Sequence, residues 1–431
     1  MRYQKIDTHL FINNRQRVID ALKLNAIAIF HANDILPTNG DGEMVFHQNS
    51  DLFYVSGIDQ EETIVILHNL SDMVNGEAIL FLKETNTHTI LWEGEKYTKA
   101  EAMQVSGITR VYWLGNFTAI LNHLMSRATY VYLNNNDNAY TTVHVQTRDQ
   151  RLGRVYQQTY PLHKYERLAP IMGRLRENKS SVEVALIQEA CNITGKGFER
   201  VLASLRPGMM EYEIEAILIK EFIRHRAKGF SFAPIIAANQ RACILHYTAN
   251  DQPCQYGDMV LIDAGATYAN YNADVSRTIP VNGKFTTYQR KVYTEVLRIM
   301  RQAQQYLTEG STLAIYERQI GEEVTQALLK LGLLDRTDIK NQHRQYPAYK
   351  QYFMHRTSHH IGLNTHDTGD MHRKISPGMV LTIEPGIYIK EAKLGIRLEN
   401  NFLVQKRGIK DLTASIPIEI EEIEALMHHA H

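Results

Sequence analysis

The stretch Met259–Val281 reads MVLIDAGATYANYNADVSRTIPV. Two apolar, β-branched runs flank a short segment of alanine, tyrosine and asparagine, the pattern of an antiparallel hairpin. Asp263 interrupts the first run, which otherwise reads as a buried strand, and Asp274 follows eleven residues later, just ahead of the second run. Burying either carboxylate unpaired costs several kcal/mol. Each acid therefore needs a partner.

The pattern returns near the carboxyl end. Glu384 follows the apolar run of MVLTIEPGIYI (379–389), and Glu399 comes fifteen residues later in GIRLENNFLV (395–404). Two hairpins thus carry two acids each. In the last strand the two-residue side-chain period puts Arg397 and Glu399 on one face and Ile396 and Leu398 on the other, which aims Arg397 at the acids. Taken singly, each acid could find its own arginine or backbone donor. If the four converge, their formal charge near −4 is not matched by Arg397 alone. Two divalent cations would match it and could share carboxylates as bridges. A histidine ligand is then expected, and FMHRTSHHIGLNTHDTGD (353–370) offers four histidines and two aspartates with no helical or strand period. Oxygen-rich ligation with one imidazole suits manganese, iron, cobalt or zinc in a two-metal hydrolytic site better than a thiolate-type structural zinc site.

The rest of the chain narrows the classes. At 431 residues it is longer than one ordinary domain core, and 44% hydrophobic with 22% charged residues is the composition of a soluble globular protein. Forty-seven basic residues balance forty-seven acidic ones, so no global field attracts nucleic acid or an anionic membrane. The opening residues lack the long apolar core of a signal peptide, and no run approaches a membrane span. A cytoplasmic protein is expected. Cys191, Cys243 and Cys254 are too few and too irregular for a disulfide framework and read as reduced thiols.

From Ala21 to about Leu133, NAIAIF, ETIVILHN, EAILFLK and TYVYLN alternate with helix-like stretches, predicting a small α/β domain without a chemical constellation. The domain boundary is placed near residue 172, giving domains 1–172 and 173–431. Beyond it, Ser180 and Glu183 form a capping-box pattern ahead of a long amphipathic helix. Helices over 211–228, 287–307 and 316–332, separated by the strand-like runs, make the second half α+β with antiparallel hairpins. The tail MHHAH (427–431) is expected to be a frayed terminus.

Taken together, ILHYTAND (244–251), VLIDAGATYANYNADVSRT, MHRTSHHIGLNTHDTGD, TIEPGIYI and GIRLENN resemble, in order and spacing, the pita-bread metallopeptidases, and within them the aminopeptidase P family. HQNSDLFYVSGIDQEET (47–63) and ILWEGEKYTKAEAMQVSGI (90–108) look like that family's creatinase-like first domain. The resemblance implies an α/β creatinase-like amino-terminal domain and an α+β pita-bread catalytic domain. It makes Asp263 a ligand of one metal and Asp274 and Glu399 bridges, and gives the second metal His359 and Glu384. Manganese is the favoured ion, with cobalt, iron or zinc as alternatives. By the same resemblance His246, His355 and His366 fall on the substrate side, Glu384 is expected to take the proton of the attacking water, and Arg397 is expected to hold the bridging side in place.

The implied reaction is hydrolysis of the bond between an amino-terminal residue and a following proline. The alternatives are a prolidase acting on Xaa-Pro dipeptides and a pita-bread peptide-binding module without chemistry. Ser358 before His359 looks more like the aminopeptidase pattern. Trp92, in LWEGEKY, lies where the family places a residue near a neighbouring subunit's substrate entrance, which implies a homodimer or homotetramer. Three departures stand out: Arg356 replaces a usual glycine, Asn364 a frequent aspartate, and Ala238 precedes Asn239 where glycine is common. His360 sits where many relatives carry an aromatic residue and is expected to pack.

Overall fold

The computed structural model of the chain describes residues 3–71, 77–135, 137, 144–343 and 345–428. Its contacts divide the chain into two units, Gln4–Arg176 and Glu177–His431, the latter joined by Met1–Tyr3.

The amino-terminal unit is built on a six-stranded mixed sheet. Its strands are β1 (Ala26–His31), β2 (Ile64–His68), β3 (Glu77–Leu82), β4 (Arg110–Trp113), β5 (Tyr130–Leu133) and β6 (Lys164–Arg167), in the order β4-β3-β2-β1-β5-β6. The β1–β2 and β2–β3 pairs are antiparallel, the others parallel. Ile27, Ile29, Ile66, Ile79, Phe81 and Val131 bury one face with Leu121, Leu124 and Tyr156 from the helices Phe117–Met125 and Arg148–Thr159. This is the α/β domain the alternating runs predict, extended by β6 beyond Leu133. The short helix Thr87–Glu93 contributes nothing to that core: Leu91 is 78% and Trp92 74% exposed.

The second unit is α+β. Ser180 caps the long helix Ser181–Leu202 reciprocally: Glu183 N donates to its Oγ at 3.4 Å, and Ser180 N donates to Glu183 Oε2 at 2.8 Å. The helices Glu211–Arg224, Thr287–Tyr306 and Leu313–Leu331 follow. Ahead of the Asp263 strand come β7 (Gly229–Phe230) and β8 (Ile235–Ala238); the strand itself is β9 (Met259–Ala264), followed by β10 (Ala266–Tyr268), β11 (Tyr271–Asn272) and β12 (Val275–Pro280). In one three-stranded sheet the order is β12-β9-β8, all antiparallel, with Ser276 opposite Asp263; β11-β10-β7 form a second. Gly265 lets the chain leave β9 sharply, because a Cβ there would stand 1.7 Å from the carbonyl oxygen of Ala273.

The later hairpin is more elaborate than a simple pair. The run 379–389 is cut at Glu384–Pro385 into β13 (Val380–Ile383) and β14 (Gly386–Ile389). The run 394–404 is cut at Leu398–Glu399 into β15 (Leu394–Arg397) and β16 (Asn400–Val404). Among the described residues β14 pairs only with β15, while β13 joins β16 and β17 (Ile409–Asp411) in a separate sheet. Pro385, lacking an N–H, breaks the ladder at that point. Met427 and His428 belong to the last helix, Ile420–His428, where Met427 is fully buried, so the fraying predicted for 427–431 does not hold for these two; residues 429–431 lie outside the described residues. Among the described residues no helix is long and apolar enough to cross a membrane.

Candidate metal centre

All four acids occur where a strand ends. Asp263 is next to last in β9, Asp274 immediately precedes β12, Glu384 immediately follows β13, and Glu399 immediately precedes β16. The two sheets are stitched at this level: Glu399 N donates to Ser276 O at 3.0 Å, and Arg397 N to Thr278 Oγ1 at 3.1 Å. Ligand atoms of Asp263, Asp274 and Glu399 lie within 4.8 Å of one another, as do those of His359, Glu384 and Glu399, and those of Asp274, His359 and His366. All five expected ligands therefore converge, and His366 comes within the same reach.

His359 is oriented by its other ring nitrogen. Nδ1 donates to the carbonyl of His360 at 3.0 Å, which leaves Nε2 as the acceptor face. That nitrogen lies 3.4 Å from Glu384 Oε1, 3.5 Å from Asp274 Oδ2 and 4.0 Å from Glu399 Oε1. Arg397 donates to Asp263 Oδ2 at 2.6 Å, to Ser276 Oγ at 2.9 Å and to Tyr388 Oη at 3.0 Å. His355 donates from Nδ1 to the Arg356 carbonyl and accepts at Nε2 from Tyr388 Oη, both at 2.7 Å; its Nδ1 is 3.4 Å from Glu384 Oε2.

The electrostatics are those of a site short of positive charge. Burial, then the neighbouring carboxylates, push Asp274, Glu384 and Glu399 well above the usual carboxylate range. Burial, then the charge of Arg397, lowers His355 to about 3; burial, then His359 and His246, lowers His366 to about 4. Both imidazoles are thus neutral at pH 7. Among the described residues, the buried oxygens Asp263 Oδ1 and Glu399 Oε1 have no hydrogen-bond partner. Orphaned carboxylate oxygens aimed into a nest of acids, with one or two imidazoles beside them, fit divalent cations.

The remaining residues fall around this nest or apart from it. His246 is exposed, on the loop after the short 3-10 helix Asn239–Cys243, near enough to interact electrostatically with both His355 and His366. Asn239 takes a left-handed φ of 60°, a conformation asparagine tolerates, so the loop turns there without a preceding glycine. Arg356 is exposed, His360 is buried, and Asn364 accepts at its carbonyl from Gly362 N at 3.0 Å. Trp92 belongs to the amino-terminal unit.

Four more residues complete the nest: Ser276, Thr382, Asn401 and Tyr388. Ser276 Oγ donates to Glu399 Oε2 at 2.9 Å, and Thr382 Oγ1 to Glu384 Oε1 at 3.4 Å. Ser276, Thr382 and Asn401 each stand two residues from an acid, the same strand period that singled out Arg397, so a signal for them was present. Tyr388 carried none. Behind the site, Arg277 is almost wholly buried, and its guanidinium donates to four carbonyls: Pro417 at 2.7 Å, Glu399 at 2.8 Å, Ser276 at 2.9 Å and Ile416 at 3.0 Å.

Known proteins agree with this architecture. Residues 185–406 match the model of metallopeptidase family M24, and residues 11–132 match the aminopeptidase P amino-terminal domain. Xaa-Pro aminopeptidases of Escherichia coli and Haemophilus influenzae are 32% and 33% identical, each alignment covering 98% of both chains. A zinc-substituted aminopeptidase P of E. coli, solved with product, superposes with a TM-score of 0.89 at 30% identity, over 99% of this chain and 100% of that one. With its acid nest on the M24 strands and the matching first domain ahead of them, the chain belongs to metallopeptidase family M24 and, within it, to the aminopeptidase P family.

Proposed function

We propose that the protein is an Xaa-Pro aminopeptidase, a hydrolase that releases the first residue of peptides carrying proline in second position. The observation that carries this reading is the convergence of four acids and His359 with only Arg397 as a paired cation among the described side chains of the nest. Asp263, Asp274, His359, Glu384 and Glu399 would hold two divalent cations per chain, manganese being favoured over cobalt, iron and zinc. When bound, such ions supply the Lewis acidity that makes water nucleophilic near neutral pH.

The chain's own groups do the rest. Glu384 takes a proton from the attacking water as the carbonyl carbon of the first residue becomes tetrahedral. The imidazoles of His246 and His366 hydrogen-bond the reacting carbonyl and pass a proton toward the proline nitrogen, whose bond to that carbon then breaks. His355, held between Tyr388 and the Arg356 carbonyl, keeps Glu384 Oε2 oriented and lines the substrate side. Arg397 fixes Asp263 against Ser276. Because a bond to proline offers no N–H, recognition must rest on the shape of the ring.

Exposed Trp92 and Leu91 support a homodimer or homotetramer in which a neighbouring subunit borders the pocket; light scattering of the active species checks this. Three free, buried cysteines suit the reducing cytoplasm. Balanced charge leaves peptides, not nucleic acid or membrane, as the partners.

The test is metal analysis combined with side-by-side kinetics on Xaa-Pro-Yaa and Xaa-Pro. Exposed Arg356 would favour the free carboxylate of a dipeptide, and a clear preference for Xaa-Pro would make the protein a prolidase. No turnover of either would leave only a binding module.

A further inference from the structure

Immediately after the amino-terminal unit, residues 177–179 are fastened to the segment that follows His366. Glu177 accepts from Asp370 N at 3.0 Å and from Arg373 Nη1 at 2.8 Å, and Lys179 N donates to Gly378 O at 2.7 Å. Between these fastenings Lys179 Nζ pairs with Asp367 Oδ2 at 3.2 Å, and each side chain is only 1% exposed. A fully buried ion pair seldom stabilises a fold more than well-packed apolar residues would, because desolvation offsets the Coulomb gain. Stability alone does not account for it.

Its position does. Asp367 N donates to the carbonyl of His360 at 2.8 Å, and that same oxygen receives His359 Nδ1 at 3.0 Å. Asp367 thus sits one backbone hydrogen bond behind the atom that orients His359, and it is the direct neighbour of His366. The packing is tight: a Cβ on Gly362 would stand 2.4 Å from Asp367 Oδ2 and 2.9 Å from Lys179 Cε. Movement of the pair would therefore be transmitted to the 359–367 loop.

We propose that Lys179 and Asp367 are positioning residues that lock the loop between His359 and His366, so that their pairing sets how tightly the centre binds divalent metal. The proposal rests on the reading of His359 as a ligand. Outer partners of metal-binding imidazoles commonly contribute about 10- to 100-fold in affinity or activity.

The experiment measures Mn²⁺ affinity by titration calorimetry in the full-length parent, Asp367→Asn and Lys179→Met, with a cooperative thermal melt as the criterion of folding. Expected is an affinity at least about 10-fold weaker in each folded variant, with kcat at saturating metal reduced and KM little changed. Unaltered affinity with only a lowered melting temperature would overturn the proposal. If neither single variant folds, Lys179→Met combined with Asp367→Leu replaces the pair by apolar groups; weakened affinity in that folded protein supports the inference, and parental affinity overturns it. A parent that binds no Mn²⁺ would instead refute the ligand assignment itself, so the two failures are distinct.

Discussion

Asn401 grips Asp274 by both ends of its side-chain amide: Asp274 N donates to Asn401 Oδ1 at 3.0 Å, and Asn401 Nδ2 donates to the Asp274 carbonyl at 2.6 Å. The side chain of an acid expected to bridge two ions is thereby set by its own backbone. Replacing Asn401 by alanine leaves a buried N–H and a buried carbonyl unsatisfied, at a cost of about 1–3 kcal/mol each. Denaturant unfolding of Asn401→Ala should show that loss, together with weaker metal binding. Parental stability would mean that water takes over both bonds.

Removal of metal should abolish turnover, and readdition should restore it. Because ions that bind only the folded state stabilise it, the melting temperature should rise with metal concentration. Asp274→Asn and Glu399→Gln should be the most damaging changes at the site. Elemental analysis showing a full metal complement in either variant would remove that residue from the ligand set.

His246→Ala and His366→Ala should keep their metal and lose kcat by about 100-fold or more, the scale of acid–base and oxyanion contributions. The stricter case is His366, whose ring lies 4.4 Å, centroid to centroid, from that of His359. Metal lost from His366→Ala would make it a ligand.

Glu317, on the helix Leu313–Leu331, accepts from Thr357 N at 2.8 Å, and Thr357 O accepts in turn from Glu384 N at 2.9 Å. Burial pushes its carboxyl from an ordinary 4.5 to about 7. The folded protein therefore holds this proton more tightly than the unfolded chain. The resulting stabilisation is complete below pH 4.5 and is lost as pH rises through about 7. Glu317→Gln, which mimics the protonated form, should be more stable than the parent at pH 8 by about 1–3 kcal/mol, seen as a higher melting temperature, with the difference shrinking as pH falls toward 4.5. Equal melting temperatures at pH 8 would contradict the shift.

Asp263 and Asp274 were legible because a charge inside an apolar, β-branched run has few structural explanations, and the hairpin between them formed as read. Glu384 and Glu399 were legible for the same reason, but Pro385 diverts the chain into the β14–β15 hairpin, and the alternation of hydrophobic residues carries no mark of which sheet a strand joins. Lys179, Glu317 and Tyr388 could not be found: their roles come from tertiary neighbours distant in the chain, 188 residues away for the pair with Asp367. The amino-terminal strand order was equally hidden, since the parallel pairing of β1 with β5 is made across about a hundred intervening residues.

Three of the carbonyls around Arg277 come from distant parts of the chain. Two of its four acceptors, Ile416 and Pro417, are translated about 140 residues after the guanidinium they satisfy, and a third belongs to Glu399. A chain lacking Ile416 and Pro417 would leave the buried Arg277 guanidinium short of two of its four acceptors, at a cost of about 1–3 kcal/mol each. The backbone at Glu399 is thereby tied to the carboxyl-terminal segment through one guanidinium, so a truncation before Ile416 would loosen the support behind that acid without removing any of the five candidate ligands.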